Sequence, residues 1–177
     1  MQHDFVEAII REKDKVFLIQ RVSKKFPDYW AGPGGKLNPK EKSEKAVKRE
    51  VKEEIGADFQ IAKTLGFCGF FKKDEKSVKN QEIHAGFEGN IQGNIKLNKK
   101  EAKAYKWFTY EQAQNLKLMP STTYFLKISY EKPKVPVFPF KVRKPEEMQK
   151  LKGLQKKEEI TSKTNIKEPK TRITKGF

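Results

Sequence analysis

The stretch from Gly32 to Ala57 constrains this chain most, because it joins a glycine-rich turn to an amphipathic helix. The run Gly32-Pro33-Gly34-Gly35 interrupts both helix and strand, and predicts a tight loop whose backbone can approach a ligand closely. The segment from Lys42 to Ile55 contains no Gly or Pro, and Gly56 supplies a stop signal. Apolar residues recur in it at every fourth position: Val47, Val51 and Ile55.

Three glutamates crowd the end of this predicted helix. On an ideal helix Glu50, Glu53 and Glu54 fall within a sector of about 100°, beside the apolar stripe. Like charges at these spacings repel, and negative charge near a helix C-terminus opposes the macrodipole. A bound hard cation would remove both conflicts, and Mg²⁺ or Mn²⁺ commonly bridges carboxylates to phosphates. The pattern therefore favours diphosphate chemistry, although the oppositely charged i, i+4 pairs also fit a solvated helix.

The spacing resembles the Nudix box residue by residue. The matching pattern is Gly35-x5-Glu41-x7-Arg49-Glu50-Val51-x-Glu53-Glu54-x-Gly56, which has no gap; the one departure is Ala57, where the family usually carries a larger aliphatic residue. The resemblance implies that Glu53 and Glu54 are metal ligands, and that Glu50 is a further ligand or the general base. It also implies that the Gly35 carbonyl completes the metal shell and that Arg49 orients a glutamate.

Further site residues are expected around this segment. Trp30 to Lys36 resembles the sequence that leads into the box in MutT-like members, and we expect Trp30, Gly34, Gly35 and Lys36 to contact substrate. The alternative for Trp30 is that it caps the core. Arg21, at the end of a predicted strand, is a candidate for a phosphate contact, and exposure to solvent is the alternative. Glu101 is a candidate extra ligand or general base, or a solvated loop residue. Glu41 lies on the opposite side of the helix from Glu50, which favours a supporting role.

The predicted fold class is α/β. Residues 5–11 and 15–21 are rich in β-branched and aromatic side chains and predict a hairpin. Alternation of strands with helices predicts layers on a sheet, and the resemblance specifies the Nudix α/β/α sandwich with a mixed β-sheet. We expect a domain over 1–131 and a basic, Pro- and Lys-rich extension over 132–177 that is partly disordered.

The segments beyond the helix are predicted in less detail. Residues 59–71 and 82–91 read as strands, with a charged loop over 72–80 between them. Cys68 and His84 are expected to be ordinary strand residues. A short strand over 105–108 precedes a helical turn. Ser121 or Thr122 is expected to cap a final helix that reaches about Tyr130.

Charge and cysteine content limit the partners. The net charge is +16, and residues 131–177 hold 14 basic and 6 acidic residues, which is half of that excess. A basic tail attracts polyanions, so RNA contact through it is one expectation. One cysteine excludes an intramolecular disulfide. Neither a secretory signal nor a long apolar run is present, so we expect a cytoplasmic protein without membrane contact. The sequence leaves the oligomeric state open.

These observations and the resemblance predict a Mg²⁺-dependent pyrophosphohydrolase, with Mn²⁺ as a substitute, that cleaves a nucleoside diphosphate linked to a group X. A nucleoside triphosphate, oxidised or not, is the expected substrate, giving a monophosphate and pyrophosphate. Hydrolysis of ADP-ribose, sugar nucleotides or dinucleoside polyphosphates is the alternative. A non-catalytic module that binds nucleotide or RNA is a second alternative, which the intact glutamates disfavour.

Overall fold

The structure is a computed structural model that describes residues 4–74 and 77–131, and only the backbone of 70–74 and 77–81. The expected extension over 132–177 therefore lies outside the described residues. The described strands are β1 (Phe5–Glu12), β2 (Lys15–Arg21), β3 (Trp30–Ala31), β4 (Gly34–Lys36), β5 (Asp58–Asp74), β6 (Ser77–Gln92) and β7 (Ala102–Thr109). The described helices are α1 (Ser43–Ile55), α2 (Tyr110–Gln114) and α3 (Pro120–Glu131).

The strands form one mixed sheet with the order β3-β2-β1-β6-β5, and β4 and β7 pair with β1 and β2 respectively. β1 and β6 run parallel, with Phe5 opposite His84 and Ile10 opposite Gly89. β1 also pairs antiparallel with β2 and with β4. The predicted mixed sheet is confirmed, and β1 is its centre.

The predicted hairpin is confirmed as β1 and β2, with Glu12 opposite Lys15. Lys13 adopts a positive φ of 54° in the two-residue turn between them. Such turns need left-handed backbone where the strands reverse. The hairpin brings Arg21, the last residue of β2, to the same end of the sheet as the glycine loop.

Side chains that alternate along β1 and β2 enter two separate cores, one on each face of the sheet. Ala8, Ile10, Phe17 and Ile19 pack in a cluster with the apolar stripe of α1. The residues between them along the strands pack with α2 and α3 on the other face: Ile9, Val16 and Leu18, against Ala113, Phe125 and Leu126. The sheet therefore lies between helices, as the α/β/α prediction requires.

The apolar stripe and the glycine stop that predicted helix α1 are both present in the structure. Val47, Val51 and Ile55 are fully buried on the sheet. Gly56 ends the helix in the left-handed region at φ 72°, and its N–H donates to the Lys52 carbonyl at 3.0 Å. Glycine adopts this conformation without a Cβ penalty, so the predicted stop is confirmed.

Two predictions of secondary structure are wrong. The expected loop over 72–80 is mostly strand, because β5 continues to Asp74 and β6 begins at Ser77. Pairing between the two strands extends through this charged segment, with Lys72 opposite Asn80. Helix α3 begins at Pro120, so Ser121 and Thr122 lie inside its first turn and do not cap it. Proline suits the first helical position because its missing N–H has no partner there.

No helix within the described ranges is long and apolar enough to span a membrane.

Candidate active site

The glycine loop is held between β1 and α1 by close backbone contacts. Gly34 pairs with Glu7 and Gly35 with Val6, in an antiparallel ladder. A Cβ on Gly34 would lie 2.2 Å from the Val6 carbonyl oxygen, and a Cβ on Gly35 would lie 2.3 Å from Oε2 of Glu50. Larger residues at these two positions would push the loop from the strand or from the helix. The loop thus brings the backbone directly against a glutamate of α1.

Glu54 is the buried carboxylate of the site. Its side chain is 3% exposed, and Nη2 of Arg21 lies 3.9 Å from its Oε1. The Gly34 N–H donates to its Oε2 at 2.8 Å. The pKa of Glu54 is raised to about 8, mainly by burial and also by the nearby charges of Glu50 and Glu101, while the charge of Arg21 and the Gly34 N–H act in the opposite direction. A carboxylate held in this way gains from an added positive charge.

Arg49 connects the remaining carboxylates. Its guanidinium donates to both oxygens of Glu41 at 3.0 and 2.9 Å. It also donates to Glu50 at 2.8 Å, to Glu53 at 3.1 Å and to the Lys36 carbonyl at 3.0 Å. The hydrogen bond from Arg49 lowers the pKa of Glu41 to about 2. Glu41 therefore supports Arg49, and Arg49 positions two glutamates of the cluster.

The donor set fits a hard divalent cation, since it offers only oxygen atoms. Glu50 and Glu53 are bonded to Arg49, and Glu53, with a side chain 56% exposed, is open to solvent. Within the described ranges, no group of three or more His, Cys, Asp or Glu side chains is placed so that it could hold a metal ion without rearrangement. The closeness of Gly35 to Glu50 and the burial of Glu54 are the two features that match a cation held between loop and helix.

The other candidates are distributed around the site. Glu101 is exposed, but its charge acts on Glu54, and its carbonyl accepts from the Val22 N–H at 2.8 Å. Arg21 lines a cleft beside the glycine loop. Lys36 is exposed and offers its carbonyl to Arg49. Trp30 packs edge-on against Phe108 in the core under α3, so its contact with substrate stays a prediction.

The strand residues Cys68 and His84 lie opposite each other on β5 and β6. Cys68 is buried, as expected of a small strand residue. His84 lies on β6, as predicted, and its ring stacks on Phe5 with centroids 4.8 Å apart. It also lines the cleft, which its sequence context did not indicate. Burial lowers the pKa of His84 to about 4, so it is neutral near pH 7.

Sequence reasoning missed a second buried carboxyl group, that of Glu7 on β1. Glu7 is 4% exposed and accepts from the Gly32 N–H at 3.1 Å and from the Thr122 hydroxyl at 2.5 Å. The cleft that Glu7 lines is also lined by Arg21, Gly34 and Gly35. The available signal was one carboxylate inside an otherwise apolar strand, FVEAII.

Comparison with known proteins agrees with this arrangement. Residues 1–127 match the model of the NUDIX domain. The CTP pyrophosphohydrolase of Escherichia coli K12 is 29% identical over 119 residues, which cover 67% of this chain and 84% of that protein. The ADP-ribose pyrophosphatase of Methanocaldococcus jannaschii is 30% identical over 103 residues, covering 58% and 59% of the two chains.

The crystal structure of a MutT protein from Methanosarcina mazei Go1 superposes with a TM-score of 0.59 and 27% identity, over 76% of this chain and 99% of that one. The fold is therefore that of the Nudix hydrolases, as the box predicted. The chain belongs to the Nudix family and is a Nudix hydrolase. Members of this family generally use divalent metal ions.

Proposed function

We propose that this protein is a Mg²⁺-dependent pyrophosphohydrolase that converts a nucleoside triphosphate, oxidised or not, into a monophosphate and pyrophosphate. One observation carries the proposal: the carboxylates of α1 meet the glycine loop beside a cleft that is also lined by the positively charged side chain of Arg21. Glu54 bonds to the Gly34 N–H, and Glu50 lies against Gly35. Gly34 and Gly35 line the same cleft as Arg21. A diphosphate bound beside the loop would therefore lie near both the carboxylates and Arg21.

Metal binding and the positioning of the ligands would fall to different residues. Glu50, Glu53, Glu54 and the Gly35 carbonyl would hold Mg²⁺, for which Mn²⁺ could substitute. The ion would neutralise the diphosphate and lower the pKa of a bound water. Arg49 would fix the glutamates, as its bonds to Glu50 and Glu53 already do.

Two further roles concern the substrate and a proton. Arg21 would contact a phosphate, because its guanidinium lies at the cleft and carries the charge that phosphate oxygens bind. A carboxylate of the cluster, or Glu101, would take the proton from the attacking water. The charge of Glu101 reaches Glu54, which supports its place among the candidates.

The relatives support the choice of substrates for a test. One is a CTP pyrophosphohydrolase, which favours nucleoside triphosphates, and another is an ADP-ribose pyrophosphatase, which keeps the sugar-linked diphosphates as the second candidate. The family resemblance implies a proline in sugar-nucleotide and ADP-ribose hydrolases at the position where this chain has Lys72 and Lys73, which places ADP-ribose second.

The test is turnover of a substrate panel by the full-length chain, with Mg²⁺, Mn²⁺ or chelator. The panel contains the common and oxidised nucleoside triphosphates, ADP-ribose, sugar nucleotides and dinucleoside polyphosphates. We expect release of pyrophosphate and monophosphate, and in ¹⁸O-labelled water the label shows which phosphorus was attacked. Release of inorganic phosphate and a nucleoside diphosphate, or turnover that survives the chelator, would contradict the proposal.

A further inference from the structure

The position of the glycine loop determines how the carboxylates of α1 are arranged. The Gly34 N–H donates to Oε2 of Glu54 at 2.8 Å. Gly35 lies so close to Glu50 that a Cβ on Gly35 would be 2.3 Å from Oε2 of that glutamate. A hydrogen bond of this kind is largely lost when its atoms separate by about 1 Å. Whatever fixes the loop therefore also fixes the geometry of the proposed metal ligands.

The loop is held on β1 by backbone hydrogen bonds and by one buried side chain, that of Glu7. The Ala8 N–H donates to the Pro33 carbonyl at 2.8 Å, and Glu7 lies opposite Gly34 in the ladder between β1 and β4. The Glu7 side chain bonds to the first residue of the loop, because its Oε1 accepts from the Gly32 N–H at 3.1 Å. A Cβ on Gly32 would lie 3.1 Å from both Cγ and Oε1 of Glu7. Glu7 thus contacts the loop at its first and third residues.

Glu7 is itself fixed by the first turn of α3. The Thr122 hydroxyl donates to the same oxygen, Oε1, at 2.5 Å, and the Ser121 hydroxyl also bonds to the Glu7 side chain. Glu7 and Ser121 are each 4% exposed and Thr122 is fully buried, so water does not replace these bonds. Losing one partner of a buried hydrogen bond leaves the other unsatisfied, which is costly. A continuous set of contacts therefore runs from α3 through Glu7 to the glycine loop.

These contacts need an acceptor oxygen at Glu7 and do not need a negative charge. The pKa of Glu7 is raised by burial, although the hydroxyls of Ser121 and Thr122 oppose the effect. The Gly32 N–H and the charge of Arg21 oppose it as well. The raised pKa favours the neutral acid, whose carbonyl oxygen accepts hydrogen bonds as the amide oxygen of glutamine does. Glutamine at position 7 should therefore hold the loop, and alanine should not.

We propose that Glu7 is a positioning residue, whose side-chain oxygen anchors the glycine loop to α3 and thereby sets the geometry of the metal ligands on α1. The inference rests on the proposed function in one respect, that the carboxylates of α1 bind a metal ion. Glu7 would act through the loop backbone and not on the metal or the substrate. Its loss would weaken metal binding and slow turnover, although the ligands themselves are all still present.

Glu88 on β6 provides a matched control for a glutamate with a structural role alone. Its Oε2 accepts from the Ser129 hydroxyl at 2.5 Å, so it is bonded to α3 as Glu7 is. It also pairs with Arg11 at 3.8 Å and with Lys63 at 3.2 Å. These partners belong to α3, β1 and β5 and not to the glycine loop. Glu88→Ala therefore removes a carboxyl group bonded to α3 while the contacts of the loop remain.

Hydrogen exchange of single amides, followed by NMR, measures the hold on the loop without metal or substrate. The full-length wild type is compared with Glu7→Ala, Glu7→Gln and Glu88→Ala at a temperature at which all four are folded, and the Val51 amide of α1 is the internal reference for global unfolding. Relative to that reference, exchange of the Gly32 and Gly34 amides should rise about tenfold in Glu7→Ala. Glu7→Gln and Glu88→Ala should keep the wild-type ratio.

A second variant keeps the test informative if Glu7→Ala does not fold. Thr122→Val removes one donor to Oε1 at nearly constant volume and leaves Glu7 in place. Exchange of the Gly32 amide should rise in this variant, by less than in Glu7→Ala. Wild-type exchange of that amide in every folded variant that lacks Glu7 or the Thr122 hydroxyl overturns the inference.

Metal affinity and kinetics measure the consequence for the site. Mn²⁺ binding without substrate, followed by electron paramagnetic resonance, should weaken about tenfold in Glu7→Ala, and kcat at saturating Mg²⁺ and substrate should fall at least about tenfold. Glu7→Gln and Glu88→Ala should stay close to the wild type in both measurements, even though Glu88→Ala also lowers Tm. A loss in Glu7→Gln as large as that in Glu7→Ala would show that charge matters and would overturn the inference. An equal loss in Glu88→Ala would overturn it too.

The two proposals fail in different ways. A wild type that neither binds Mn²⁺ nor cleaves any substrate of the panel counts against the proposed function. Exchange of the Gly32 amide decides separately whether Glu7 holds the loop, because it is measured on the protein alone.

Discussion

Adjacent alanine substitutions at Gly34 and Gly35 should separate the stability of the glycine loop from its role in the site. At Gly34 the three atoms nearest to the new Cβ all belong to the backbone, with the Val6 carbonyl oxygen at 2.2 Å and the Glu7 Cα at 2.8 Å. At Gly35 the three nearest atoms all belong to the carboxyl group of Glu50, at 2.3 to 2.7 Å. Both variants add one methyl group, but the backbone atoms next to Gly34 are fixed, whereas the Glu50 side chain next to Gly35 can rotate away.

The expected sizes follow from these contacts. Gly34→Ala has to separate β4 from β1, and overpacking of this kind costs about 1–3 kcal/mol, with more lost if a ladder hydrogen bond breaks. For a domain of this size about 1 kcal/mol lowers Tm by roughly 3–5 °C, so we expect a fall of about 10 °C. Gly35→Ala displaces the Glu50 carboxylate by about 1 Å. A misplacement of that size can reduce kcat about a hundredfold, with a loss of stability below about 1 kcal/mol.

Thermal unfolding and turnover of the best panel substrate are measured on both variants and the wild type. Gly35→Ala should melt close to the wild type and be nearly inactive, whereas Gly34→Ala should melt clearly lower. Wild-type activity in Gly35→Ala would refute the assignment of Glu50 to the site. An equal loss of Tm in both variants would refute the distinction between fixed and mobile neighbours.

Two further predictions concern Arg49 and His84. Arg49→Lys keeps the charge but cannot reproduce the bidentate contact with Glu41 together with the hydrogen bonds to Glu50 and Glu53. Turnover should therefore fall at least about tenfold, and the free energy of unfolding, measured in urea, should fall by about 1–3 kcal/mol. A fully active lysine variant would contradict the positioning role. The half-buried, neutral ring of His84 has a pKa of about 4, below its ordinary 6.5, so its contribution to stability is present above pH 6.5 and is lost as the pH falls through 4. Between those two pH values the wild type should lose up to about 3 kcal/mol more than His84→Gln in urea unfolding, and parallel pH profiles would show that His84 is not buried as a neutral group.

Much of the fold could be predicted because the local signals and the packing agree. The apolar stripe of α1, its glycine stop and the β1–β2 hairpin all depend on residues close in sequence. The box predicted the site through its spacing, and the structure places Glu50 against Gly35 and Glu54 against Gly34. The strand structure of residues 72–80 could not be predicted from their charges, which are typical of a solvent-exposed loop. Pairing between the two long strands β5 and β6 determines the structure there instead.

The cleft was also outside the reach of sequence reasoning. Glu7 and Thr122 are 115 positions apart, and only the packing of α3 on the sheet brings the hydroxyl to the carboxylate. Ser121 and Thr122 were interpreted as caps because hydroxyl residues before an apolar segment usually have that role. Both residues lie inside the helix instead, because Pro120 begins the helix one residue earlier. A long-range pair of this kind leaves no periodic pattern in the sequence.

The most direct test of the central claim, that the carboxylates of α1 perform metal-dependent hydrolysis, is turnover by Glu53→Gln with Glu44→Gln as its control. Both glutamates are exposed on the same helix, and Glu44 lies in its first turn, away from the site. Stability should hardly change in either variant, because exposed substitutions usually cost less than about 0.5 kcal/mol. The account predicts that Glu53→Gln loses most Mg²⁺-dependent turnover while Glu44→Gln keeps it. Near-normal turnover in Glu53→Gln would contradict the account.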